Sequence, residues 1–115
     1  MGVFFNDNNA PKTSYTPSEL VSEMKKREDI LLIDIRESHE LAQGGIENAL
    51  HIPIGQIPEK MGTLPKNKDL VVFCHEGLEG KQVRNYLKKG GFFKVAYLKG
   101  GFTRWKKEVA ESIIA

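Results

Sequence analysis

The stretch Val71–Gly91, VVFCHEGLEGKQVRNYLKKGG, decides how this chain folds. It opens inside the apolar run LVVFC, which is rich in β-branched residues and too short for a helix. That composition predicts a strand buried on both faces. Beyond the loop HEGLEG, the segment from Lys81 to Lys89 sets Val83, Tyr86 and Leu87 at helical spacing, and Gly90–Gly91 supply a left-handed stop. The junction between strand and helix holds Cys74, the one cysteine among 115 residues, with Glu76 and Glu79 beside it.

Working outward, the same alternation recurs. TPSELVSEMKKRE carries a helix start, with Thr16 as N-cap, Pro17 in the first helical position and Glu19 completing a capping box. DILLIDIRE is a second buried strand from Ile30 to Ile35, and SHELAQGG reads as a short capped helix. ENALHIPIG gives a brief extended piece, followed by a helical turn or two in QIPEKMGTLPKNKD. KVAYL is a further strand, and GGFTRWKKEVAESIIA a final helix with Phe102, Trp105 and Val109 on one face. Strands alternating with helices through short connections predict an α/β domain with a central parallel sheet covered by helices on both faces. Residues 1–13, polar, Asn-rich and broken by Pro11, are expected as a flexible N-terminal arm before a single domain over 14–115.

Composition excludes several functions. Seventeen Lys and Arg against 15 Asp and Glu leave a charge of +2, with no basic block to follow a phosphate backbone, so no nucleic-acid partner is expected. Three apolar residues near the start, without a basic flank, fit neither a secretory segment nor a membrane span, and no membrane partner is expected. Three scattered histidines without ligand spacing predict no metal site, and no cofactor is implied. A lone cysteine forms no internal disulfide, so Cys74 is either an inert buried residue or a working thiol, and a reducing cytoplasm suits both.

Position leaves both readings open and gives a working thiol a place to act. In open α/β sheets, ligands bind beyond the carboxyl ends of the strands, where Cys74 stands. Gly77 and Gly80 permit tight turns and positive φ, so loop amides and the helix start converge on one spot as an anion cradle. Such donors favour the ionised, nucleophilic form of a cysteine.

Four segments in order then resemble the rhodanese family in its small single-domain form, from about Tyr15 to Val109: LIDIRESHEL, GGIENALHIP, VVFCHEGLEG and YLKGGFTRW. The resemblance implies a sheet of about five strands. It also implies that Cys74 attacks a sulfane sulfur, becomes a persulfide and passes the outer sulfur to a thiol or to cyanide. The cradle would be His75, Glu76, Gly77, Leu78, Glu79 and Gly80, acting through backbone N–H groups, with Arg36 near the site. The partners implied are a sulfane-sulfur donor, a thiol acceptor and a partner protein. Family loops commonly carry Arg or Lys side chains, as in Cys-Arg-x-Gly-x-Arg-Ser; here His75, Glu79 and Gly80 occupy those places. Gly45 likewise replaces the usual His of the GG element.

Charge then selects the donor. A carboxylate about 7 Å from the sulfur costs on the order of 2 kcal/mol at an effective dielectric near 20, less in salt. Each amide bond to a charged group returns about 1.5–3 kcal/mol. A monoanionic persulfide is tolerated on these terms, whereas dianionic thiosulfate meets the repulsion more than once. The expected donor is a protein persulfide or polysulfide, with poor use of thiosulfate. Two rivals stand beside this reading: a binding or regulatory module that keeps the fold without catalysis, and a phosphatase-like enzyme. The second lacks the arginine six positions after the cysteine that clamps phosphate, because that position is Gly80. Arg36 is also readable as a structural ion-pair partner, for instance of Glu40, and His51 as a satisfied core or edge histidine.

Overall fold

The computed structural model describes residues 11–114. In chain order it contains β1 (Ser14–Tyr15), α1 (Pro17–Lys26), β2 (Ile30–Asp34), a 3₁₀ helix (Ser38–Gln43), β3 (Leu50–His51), a 3₁₀ turn (Ile54–Gln56), α2 (Ile57–Lys60), a 3₁₀ turn (Met61–Thr63), β4 (Asp69–Phe73), α3 (Leu78–Lys89), β5 (Val95–Leu98) and α4 (Gly101–Ile114). The strands form one five-stranded sheet in the order β1-β5-β4-β2-β3, and every pairing is parallel. This is the α/β architecture that the alternating pattern predicts. The arm expected over residues 1–13 falls mostly outside the described residues.

The period of two along each strand sorts side chains into two cores. Leu70, Val72, Ile33 and Val95 join Ile57 of α2 and Val83 and Leu87 of α3 on one face. Val71, Phe73, Leu32, Ala96 and Leu98 join Leu20 of α1 and Phe102 of α4 on the other. β4 lies at the centre, paired with β2 on one side and β5 on the other. From Leu70 to Phe73 its residues are apolar because both faces are covered.

Local signals account for most helix ends. Thr16 caps α1, and the reciprocal bonds of the capping box form, Thr16 N donating to Glu19 at 2.8 Å and Glu19 N to Thr16 Oγ1 at 3.2 Å. Those bonds hold the Glu19 carboxyl below the usual carboxylate range, the Thr16 amide being the main cause. Their contribution is present above the unfolded value and fades as pH falls through the lowered one. At the end of α3, Phe92 N donates to Leu87 O and Gly91 N to Lys88 O, both at 3.1 Å. This is the paired closure expected of Gly90–Gly91.

Two expectations are corrected. The short capped helix expected at SHELAQGG spans only Ser38–Gln43 and is of the 3₁₀ kind, capped reciprocally by Glu37 and Glu40. Arg36 does pair structurally, but with the carboxylate of Asp34 and not that of Glu40. Its Nε and Nη2 contact Asp34 at 3.0 and 2.8 Å, Nη1 donates to Glu40 O at 3.2 Å, and Nη2 also donates to Gly44 O at 2.7 Å. The guanidinium lies 4.3 Å from the centre of the Phe102 ring and its side chain is 0 % exposed. One residue thus ties the end of β2, the 3₁₀ helix and α4 together.

Removing one member of a buried ion pair strands the other, at a cost of about 3–5 kcal/mol. Arg36→Met is expected to lose that much in urea unfolding. The double variant Asp34→Leu/Arg36→Met should recover part of it, because no buried charge is left uncompensated.

Candidate functional site

Cys74 follows β4 directly, and its side chain continues the parity of Leu70 and Val72, which places it on the α3 face of the sheet. The residue is only 2 % exposed. Its sulfur nevertheless faces polar groups as well as apolar ones: Gly77 N donates to Cys74 Sγ at 2.9 Å and Gly80 N at 3.3 Å. Two amide dipoles therefore aim at one sulfur atom, an arrangement suited to negative charge.

The helix that supplies the second amide starts earlier than its side-chain spacing predicts. α3 begins at Leu78, not Lys81, with Gly77 as N-cap at φ 107°. Glycine adopts that left-handed conformation without penalty, and a Cβ there would lie 3.0 Å from Gly100 N. Gly80 is consequently a helical residue rather than a turn. Its amide belongs to the first turn of α3, where backbone donors lack intrahelical partners.

The orientation of the loop is fixed from outside. Phe102 N donates to Cys74 O at 2.9 Å and Thr103 N to His75 O at 3.0 Å, so the first turn of α4 spends its free amides on the carbonyls of the cysteine loop. With those carbonyls held toward α4, the following amides are free to turn toward the sulfur. The approach is so close that a Cβ on Gly101, at φ 61°, would sit 2.6 Å from His75 O and 2.7 Å from Cys74 O. The sequence shows glycines at 100 and 101 but not which backbone they approach; this clamp is the functional element that pattern reading misses.

The remaining predicted residues separate. His75 is half-buried and its Nδ1 has no hydrogen-bond partner. Glu76, Leu78 and Glu79 are exposed. Arg36, expected beside the substrate, is committed to its buried contacts, so the structure does not bring it to the cradle. His51 Nε2 meets Arg36 O at 2.7 Å, the satisfied edge histidine that was expected. Among the described residues no three His, Cys, Asp or Glu side chains gather as a metal set, and no helix is long and apolar enough to cross a membrane.

The chain as a whole has counterparts among known proteins. A family profile described as "Rhodanese-like domain" matches residues 16–108. The chain is 42 % identical over 89 residues to YtwF of Bacillus subtilis, provisionally named a sulfurtransferase, covering 77 % of this chain and 85 % of that one. It is 41 % identical over 80 residues to a protein named sulfurtransferase from Allochromatium vinosum, covering 70 % and 75 %. Among solved structures, a rhodanese-related protein from Thermoplasma volcanium superposes with a TM-score of 0.76 at 28 % identity, covering 84 % of this chain and 93 % of the other.

The clamp yields a direct test. An L-residue held in the left-handed region costs about 1–3 kcal/mol, and the overlap with two carbonyls adds to it. Gly101→Ala should therefore lower stability by roughly 3 kcal/mol in denaturant unfolding. Gly55→Ala, with nothing within 4 Å of the new Cβ, should leave it within error.

Proposed function

This chain belongs to the rhodanese-like domain family, and on that premise we propose that it moves a sulfane sulfur from a donor to a thiophilic acceptor through a persulfide on Cys74. Relatives named as sulfurtransferases support the coarse class, a rhodanese-type sulfurtransferase. The observation that carries the finer reading is the sulfur of Cys74 accepting from two backbone amides at the carboxyl end of the central strand.

The step is nucleophilic displacement at sulfur. The Cys74 thiolate attacks the outer sulfur of a donor R–S–SH, the new S–S bond forms, and the donor leaves as the thiolate RS⁻. No external oxidant or reductant enters. In the second half an acceptor thiolate attacks the outer sulfur of the Cys74 persulfide, and the Cys74 thiolate is the leaving group. Amides of Gly77 and Gly80 offset negative charge on sulfur in both halves without moving, which is the economy of a preorganised site. The thiol of a residue only 2 % exposed is reached best by a terminal sulfane atom on a slender stem, as in a persulfide or polysulfide.

The loop chemistry also sets donor preference. Glu76 and Glu79 are exposed around the cradle, and no Arg or Lys falls between Cys74 and Gly80. A diffusing dianion meets repulsion at the rim, whereas a low-charge persulfide does not.

Intact-mass analysis after incubation with glutathione persulfide should show a gain of one sulfur atom that Cys74→Ser abolishes. Absence of that gain with persulfide, polysulfide and thiosulfate donors alike would replace this reading with a binding module. Thiosulfate:cyanide turnover should be poor and should rise at least severalfold in Glu79→Arg. Equal turnover in the two proteins would remove the electrostatic account of donor choice.

A further inference from the structure

Two large apolar side chains stand among the otherwise polar exposed positions of α3. Leu78 is 71 % exposed and Tyr86 46 % exposed; with Gln82 between them they stand at i, i+4 and i+8, one continuous stripe about 12 Å long. Beside the stripe lies a groove of about 230 Å³ lined by Ile54, Ile57, Pro58, Gln82, Val83 and Tyr86. The stripe begins at the residue next to Gly77, whose amide holds the sulfur. An apolar strip with an aromatic residue, leading to a nucleophile, has the composition of an interface core.

Charge identifies what covers it. Glu79 lies three and four positions before the groove-lining Gln82 and Val83, hence on the groove side of α3, and exposed Glu76 precedes it in the loop. Most cations of the helix fall elsewhere: Arg84 turns the other way, its Nε donating to Val95 O of β5 at 3.1 Å, and Lys81 and Lys88 share that side by helical spacing, while Lys89, three positions after Tyr86, stands at the end of the helix far from Cys74. Glu59 and Lys60 of α2 offset one another. The groove therefore has an acidic rim at the end nearest Cys74. A small anionic donor gains nothing from the groove and is opposed by the rim, whereas a protein surface fills the first and complements the second.

We propose that the Leu78–Gln82–Tyr86 stripe and the adjoining groove are the docking surface for a protein sulfur partner that presents an apolar anchor ringed by basic residues. The proposal rests on the sulfur-transfer reading for what happens after docking, but the surface itself is testable without it. Once the partner is seated, its persulfide delivers the outer sulfur to Cys74 and departs as a thiolate, as above.

Two synthetic peptides supply the probe, each with one cysteine and one leucine, the first flanked by lysines and the second by glutamates. In an NMR titration of ¹⁵N-labelled protein with the reduced peptides, the lysine peptide should shift Ile57, Gln82 and Tyr86, and the glutamate peptide should not. With the peptides as persulfides, sulfur loading from the lysine peptide should be roughly tenfold faster than from the glutamate peptide. Tyr86→Lys and Gln82→Lys, both at exposed positions outside the cradle, should each erase that preference while loading from glutathione persulfide stays unchanged. Shifts scattered away from the groove, or equal behaviour of the two peptides, overturn the docking surface. Groove shifts without any loading from glutathione persulfide would uphold the surface and defeat the sulfur-transfer reading instead.

Discussion

The site depends on two hydrogen bonds that do not involve the sulfur. Phe102 N and Thr103 N, at the start of α4, hold the carbonyls of Cys74 and His75 at 2.9 and 3.0 Å. A backbone has one donor and one acceptor per residue, and fixing where the acceptors point constrains where the donors of the same loop go. The helix start loses nothing by this, since its first amides lack partners within the helix. One set of bonds thus satisfies a helix terminus and, on the far side of the same loop, lets Gly77 and Gly80 converge on Cys74.

The anchoring of α4 extends from that contact into the rest of the molecule. Phe102 packs in the core beneath β1, β4 and β5 and carries the Arg36 guanidinium over its ring. Arg36 in turn reads Asp34 at the end of β2 and the carbonyls of Glu40 and Gly44. A charged group is tolerable there because its donors meet an anion and two carbonyls, so the cost of desolvation is largely offset. The carboxyl ends of β2 and β4 and the first turn of α4 are joined through this one network, which holds the cradle to the sheet.

Legibility in the sequence followed the range of the interaction. The strands at Ile30–Asp34, Asp69–Phe73 and Val95–Leu98 are announced by apolar runs, and the α1 cap by Thr16 and Glu19, because each signal lies within a few neighbours. β1 is two residues, Ser14 and Tyr15, at an edge of the sheet; nothing periodic fits in so short a piece, and its existence follows from the partner β5. The early start of α3 was hidden because Leu78 and Glu79 face solvent and add nothing to the apolar period. The convergence of loop amides on Cys74 was legible from its neighbouring glycines. A close chain approach at Gly100 and Gly101 was legible too, but which two amides donate and which carbonyls the first turn of α4 holds were not, since both require knowing that α4 returns to the loop. Arg36 was legible as a structural residue but not in its choice of partner, because Asp34 and Glu40 are both within reach along the chain.

The strand order places a further condition on the thiol. β4 sits between a strand that precedes it and one that follows it in sequence, and the helix that orients its loop is made later still. A growing polypeptide emerging from the ribosome therefore exposes Cys74 before either β5 or α4 exists to enclose it. During that interval the sulfur has no cradle and behaves as an ordinary unstructured cysteine. The amides aimed at its sulfur and its shelter from adventitious oxidation arrive together, in the same late closing event.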